Sequence, residues 1–235
     1  MQFKFKIQPY QTEAARAVTD VFAGQPNIGA SLYLRDLGRT VGSDGTEALP
    51  GFETQVQASE GYANTPIALG SATLLSNINK VQRRNRVMES TGLATGPAPV
   101  NLDIEMETGT GKTYVYTKTM LELNRLYGWT KFIVVVPSIA IREGVYKSLK
   151  NTEQHFFEQY GKAIRYFIYN SARLGDIDRF SASSDINVMV INMQAFNSSK
   201  NQRIIDKKLD TFRSRKPIDI IAKTNPILII DEPQS

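Results

Sequence analysis

Cysteine is absent from the 235-residue chain, and histidine occurs once, as His155. Disulfides and thiolate metal centres are therefore excluded, and one imidazole builds no zinc site. Long apolar runs are missing too, since no stretch reaches the roughly 18 residues that span a bilayer. The opening MQFKFKIQPYQ lacks the apolar core of a secretion signal, so the expectation is a cytoplasmic protein with no membrane association. Acidic residues are in slight deficit, 23 against 28 Lys and Arg, for a net charge of +5. That excess suits a polyanionic partner without requiring one.

What is present is apolar material for a globular core, 41% of residues. QPYQTEAARAVTDVF spaces Ala14, Ala17, Val18, Val21 and Phe22 along one helical face, with Pro9 near the start and Gly24 past the end. From Gln25 to Gly70, Gly, Ser, Thr, Asn and Pro recur and periodicity fades. Such a stretch reads as an irregular insertion with room for one short hairpin. Helical spacing returns through Leu74, Leu75, Ile78 and Val81, and STGLATGPAPV breaks it before a linker ends near Val100.

Two basic runs stand out, KVQRRNR (Lys80, Arg83, Arg84 and Arg86) and KKLDTFRSRK (Lys207 to Lys216). Each reads equally as a solvated helix face or as a contact for nucleic-acid phosphates.

Beyond Val100 come five strand-like runs, LDIEM, FIVVVP, IRYFIY, INVMVIN and PILIID, separated by spacers long enough for helices. This is the pattern of parallel crossover units, and the predicted fold class is α/β. FIVVV and ILII are apolar at every position, as strands buried on both faces must be. LDIEM differs, because Asp103 and Glu105 alternate with Leu102, Ile104 and Met106.

Between LDIEM and an amphipathic helical stretch lies METGTGKT, Met106 to Thr113. A glycine-rich turn at a helix start leaves backbone N–H groups unpaired, and the helix dipole adds partial positive charge there. The residues Thr108, Gly109, Thr110, Gly111, Lys112 and Thr113 thus read as a phosphate cradle. Lys112 supplies an ammonium for the β- and γ-phosphates, and Thr113 a hydroxyl for Mg²⁺. Met106 stands where the strict P-loop pattern has its first Gly. The complementary half-site is PILIIDEPQS, with Asp231 at a strand tip as the Mg²⁺ partner and Glu232 placed to orient and deprotonate the attacking water. ATP with Mg²⁺ is the expected ligand, and Lys112, Asp231 and Glu232 the catalytic set.

Together METGTGKT, VVVPSIAIREGV and IIDEPQS, preceded by FKIQPYQTEA, resemble the amino-terminal motor domain of superfamily 2 helicases. Within that group they most closely resemble the restriction (Res) subunits of type III restriction enzymes. The resemblance implies a RecA-like P-loop NTPase domain with a mostly parallel sheet, truncated after the Walker B strand. It divides the chain into an N-terminal helical and irregular extension, 1–100, and an incomplete ATP-binding core, 101–235. It implies that Gln11 reads adenine through its amide, and that Ser138 and Arg142 touch the nucleic-acid backbone, with Ser138 after Pro137 also suited to capping a helix. It implies double-stranded DNA and a methyltransferase (Mod) subunit as partners, and translocation coupled to DNA cleavage in a longer enzyme. A second RecA-like domain would supply an arginine to the transition state, and its loss costs roughly 10³ to 10⁵ in rate. Little or no turnover is therefore expected of this chain alone. The alternatives are another superfamily 2 translocase, or a module that binds nucleotide or nucleic acid without catalysis.

Overall fold

The computed structural model of the chain describes residues 5–37, 59–96, 98, 100–197 and 204–233. In chain order the elements are α1 (Pro9–Val21), β1 (Ser31–Arg35), β2 (Ser59–Ala63), α2 (Ser71–Arg84), α3 (Lys112–Tyr127), β3 (Lys131–Val136) and α4 (Ile139–Tyr160). There follow β4 (Ile164–Ile168), α5 (Gly175–Ala182), β5 (Ile186–Asn192), α6 (Gln194–Asn197), α7 (Pro217–Lys223) and β6 (Ile227–Ile230). They form two compact units, each assembled from separate stretches of chain. One comprises the residues through Gly29, Thr65–Trp129 and Lys147–Ala163, and the other Ala30–Asn64, Thr130–Tyr146 and the residues from Ile164 onward.

In the first unit α1 packs on α3 and α2. Pro9 opens α1, where its missing N–H costs nothing. The buried stripe of α1 is Gln11, Ala15 and Thr19, continued by Val21 and Phe22, whereas Ala14, Ala17 and Val18 are half-buried. Apolar spacing thus places Val21 and Phe22 correctly and misses Gln11, Ala15 and Thr19. Aromatic area decides the docking here: Phe22 meets Trp129 edge-on at 5.1 Å, Tyr127 lies 6.2 Å from Phe22, and Tyr127 Oη donates to Thr19 O at 2.8 Å. Asn77 of α2 donates from Nδ2 to the carbonyls of Val21 and Ala23, each at 3.0 Å, and so closes the carboxyl end of α1.

LDIEM forms no strand. Among the described residues no strand pairs with Leu102–Met106, and Asp103, Ile104 and Glu105 are exposed. Extended backbone is held by a ladder partner, and without one its polar groups turn to water.

In the second unit β4, β5, β3 and β6 form an all-parallel sheet in that order, confirming the α/β class. All six residues of β3 are buried, as FIVVV predicts. One face carries Ile133 and Val135 with Met189 and Ile191, packed under Leu174, Ile177 and Phe180 of the α5 region and Ile220 and Ile221 of α7. Each such side chain contributes about 1.5–3 kcal/mol of burial free energy. β6 corrects the reading of ILII. Burial alternates along it, with Leu228 59% and Ile230 52% exposed, so one face of this strand, paired only with β3 among the described residues, is left uncovered.

The hairpin expected between Gln25 and Gly70 is present as the antiparallel pair β1–β2, registered from Ser31↔Ala63 to Arg35↔Ser59. Residues 38–58 of that expectation lie outside the described residues. Directly after β2, buried Asn64 accepts from the N–H groups of Thr130 and Lys131 (2.7 and 2.9 Å) and donates to Lys131 O (2.8 Å), fastening the start of β3. Lys131 itself is buried, and its ammonium donates to the carbonyls of Phe180 and Ser183 at the end of α5.

The second basic run is not a helix face. Its Arg215 is buried and makes a bidentate pair with Asp178, both bonds 2.8 Å, while its guanidinium stacks 4.2 Å from the Phe212 ring. An arginine satisfied in this way has no fork left for a phosphate.

Candidate functional site

The glycine-rich turn belongs to the first unit. Thr110 closes it by donating from N and Oγ1 to Glu107 O, at 3.3 and 2.6 Å. Gly109 and Gly111 have φ of +82° and +87°, the left-handed region where a Cβ is costly. Gly111 is the residue before α3, whose first turn holds Lys112 and Thr113 and no acidic side chain. A left-handed turn feeding a helix whose first turn has no acid provides backbone donors for an anion.

The turn is held from the start of α1. Gln11 is 9% exposed and donates from Nε2 to Thr110 O at 3.0 Å. Tyr10, one residue earlier, donates from Oη to the same oxygen, also at 3.0 Å. A Cβ built on Gly111 would lie 2.8 Å from Gln11 Nε2, so amide and turn are in contact. Gln11 is thus not an exposed residue of a helix start. Tyr10 was not among the residues singled out from sequence, and its position beside Gln11 in QPYQ is the signal that points to it.

Further along α3 the first unit has an aromatic group. Tyr114 Oη and His155 Nε2 are 2.9 Å apart, and the rings of Phe5 and Phe156 lie 5.2 and 5.3 Å from the imidazole. Burial, with Lys118 adding to it, holds the His155 pKa below its ordinary value. That describes packing and gives the imidazole no catalytic task. A cleft of about 450 Å³ is lined by Ile7, Leu121, Glu122, Arg125, Tyr160 and Lys162, among others. Its charges already answer one another, since Arg125 and Tyr160 both donate to Glu122 and Lys162 donates to Asn124. Glu122 is ten residues from Lys112, about 15 Å along a helix, so this cleft is separate from the glycine turn.

The basic run of α2 also lies in the first unit. Arg83 makes two bonds to Glu89, at 2.9 and 2.8 Å, and Arg84 reaches Asp20 at 2.6 Å. Lys80 and Arg86 are exposed and have no ion pair among the described residues.

In the second unit the expected residues cluster at the carboxyl edge of the parallel sheet, where α/β sheets bind ligands. Beyond β3, Ser138 Oγ accepts the Ile141 N–H at 3.3 Å and so caps the start of α4. Arg142 follows within the first turn, its side chain only 20% exposed and paired with Glu143 at 3.0 Å. Asp231 extends the neighbouring strand, its N–H donating to Val135 O at 2.9 Å. The parallel register of β3 and β6 therefore sends Ser138 and Asp231 out of the same edge. Asp231 is half-buried, and Glu232 is exposed with φ of +53°, unusual for a residue with a Cβ. Strain at such a position is a pointer to function.

The first unit thus gathers Gln11, Thr108–Thr113 and Lys80–Arg86, and the second Ser138, Arg142, Asp231 and Glu232. Among the described residues no group of three or more His, Cys, Asp and Glu side chains is arranged to hold a metal ion by itself. No described helix is long and apolar enough to cross a membrane.

Comparison with known proteins adds a family. The model of the type III restriction enzyme res subunit family matches residues 4–233. The Res subunit of the Escherichia coli type III restriction-modification enzyme EcoP15I is 31% identical over 188 residues, 73% of this chain. That of EcoPI from Escherichia phage P1 is 31% identical over 187 residues, 72% of this chain. That of StyLTI from Salmonella typhimurium is 34% identical over 151 residues, 57% of this chain. The matched region is 19% of the length of the first two relatives and 15% of the third.

Proposed function

Because the chain belongs to the family of type III restriction enzyme Res subunits, we propose that it carries the nucleotide-binding part of an ATP-driven DNA motor. The observation that supports this best is the left-handed turn at Gly109 and Gly111, opening onto a helix with no acid in its first turn and held by Gln11.

In this reading the backbone of Thr108–Thr113 cradles the phosphates, Lys112 neutralises charge on the transferred phosphoryl group, and Gln11 reads the adenine edge. Thr113 and Asp231 are each suited to give Mg²⁺ an oxygen ligand. A hydroxyl or carboxylate oxygen suits that ion, which keeps much of its water and takes the rest of its shell from substrate phosphates. Once bound, it would offset negative charge on the β- and γ-phosphates. Glu232 orients and deprotonates the attacking water. Ser138 and Arg142 engage the DNA backbone, aided by Lys80 and Arg86. In a full-length enzyme of this family, placed in the cytoplasm and acting with a Mod subunit, hydrolysis would drive movement along duplex DNA and license its cleavage.

The test is calorimetric binding of Mg·ATP to wild type, Lys112→Ala and Asp231→Asn, with hydrolysis followed in the presence and absence of duplex DNA. Micromolar to millimolar binding by wild type, weakened at least about tenfold by Lys112→Ala and made insensitive to Mg²⁺ by Asp231→Asn, is expected. Binding that ignores both substitutions rejects the assignment. Intact binding without hydrolysis under any condition assigns the chain to nucleotide recognition alone.

A further inference from the structure

The carbonyl oxygen of Thr110 accepts two side-chain hydrogen bonds, from Tyr10 Oη and Gln11 Nε2, each 3.0 Å long. A peptide unit is planar and trans, so the C=O of one residue and the N–H of the next point in opposite directions. Drawing the Thr110 oxygen toward the start of α1 therefore aims the Gly111 N–H away from α1. The orientation is not secured locally. Gly111 sits at φ +87° without a Cβ, and glycine lets the plane between it and Thr110 turn over at low cost. The Thr110 hydroxyl takes no part, since it donates to Glu107 O at 2.6 Å. A turned-over plane would present a carbonyl oxygen where a phosphate needs an N–H, exchanging attraction for repulsion.

We propose that Tyr10 is a positioning residue for triphosphate binding, its hydroxyl locking the Thr110–Gly111 peptide in the orientation that offers the Gly111 N–H to phosphate. The inference rests on the nucleotide-binding reading above and divides the work between neighbours. Gln11 holds the turn and reads the base, and Tyr10 only holds the turn. Tyr10 is 47% exposed, so the hydroxyl bond, rather than core packing, is what links this residue to the loop.

Tyr10→Phe removes one oxygen and keeps the ring. On the full 235-residue chain, wild type and variant are compared by calorimetric titration with Mg·ATP, Mg·GTP and tripolyphosphate, by thermal unfolding, and by the Gly111 amide resonance in ¹⁵N-glycine-labelled protein. The expected result is unchanged unfolding, affinity for all three ligands reduced by one common factor of about three to ten, and a Gly111 signal that broadens or doubles. Unaltered affinities with a single sharp Gly111 signal overturn the proposal. A loss confined to Mg·ATP also overturns it, because Tyr10 would then touch the base. If wild type binds none of the three ligands, the nucleotide reading fails, while the Gly111 signal still reports whether Tyr10 locks the peptide.

Discussion

Gln11 Nε2 and the carbonyl oxygen of Thr110 are joined by a 3.0 Å hydrogen bond across 99 positions of sequence. The bond places the proposed base-reading amide on the turn proposed to hold phosphate, so one substitution acts on both. Gln11→Ala is expected to weaken Mg·ATP binding about tenfold and to bring the affinities for ATP and GTP together. Competition titration of the two nucleotides checks this, and a preserved preference for ATP would remove Gln11 from base recognition.

The two glycines of the turn predict different outcomes. Both have positive φ, +82° at Gly109 and +87° at Gly111, so an alanine at either is expected to cost roughly 1–2 kcal/mol of stability. A Cβ at Gly109 meets nothing within 4 Å, whereas one at Gly111 comes within 2.8 Å of Gln11 Nε2. Gly111→Ala should therefore also displace Gln11 and weaken Mg·ATP binding by more than Gly109→Ala does. Urea unfolding and calorimetry on both variants separate the shared strain from the collision.

Lys131 gives a pH dependence. Burial pushes its ammonium down from 10.5 to about 8, with Asp185 opposing. The folded state thus releases this proton more readily than the unfolded chain, so stability rises as pH climbs from about 8 to about 10.5. Relative to Lys131→Met, wild type should gain about 2–3 kcal/mol across that window. Urea unfolding at intervals from pH 7 to 10.5 reads the difference, and parallel curves would show that the ammonium stays charged throughout.

The basic run of α2 divides into paired and unpaired charges. Arg83 and Arg84 already face Glu89 and Asp20, while Lys80 and Arg86 do not share in those pairs. Neutralising Lys80 and Arg86 should lower the salt slope of duplex binding by about one unit each. Substituting Arg83 and Arg84 should change it less. Slopes unchanged from wild type in all four variants would make the run ordinary surface.

The sequence was most informative where chemistry demands rare residues in fixed order. GTGKT before a helix and DEP after an apolar run can be read directly, because left-handed turns need glycine and a strand tip presents whatever residue follows it. The parallel sheet was legible for the same kind of reason, since β3 and β5 are apolar enough to be buried on both faces. Edge and centre were not: FIVVV and ILII look alike, and only the tertiary structure makes β6 an edge and leaves one of its faces, Leu228 and Ile230, exposed. Apolar spacing found Val21 and Phe22 on the buried face of α1 but missed Gln11, Ala15 and Thr19, which contacts with distant positions select.

The sequence by itself determined the fold class, the place of the glycine turn and the family, because each depends on local pattern or on residue identity in order. The tertiary structure alone decided which side chains answer which. It put Tyr10 and Gln11 on the Thr110 carbonyl, paired Arg215 with Asp178 and buried Lys131 against the end of α5. Such contacts join residues dozens of positions apart, and their partners are chosen by how the elements dock, which no local stretch encodes.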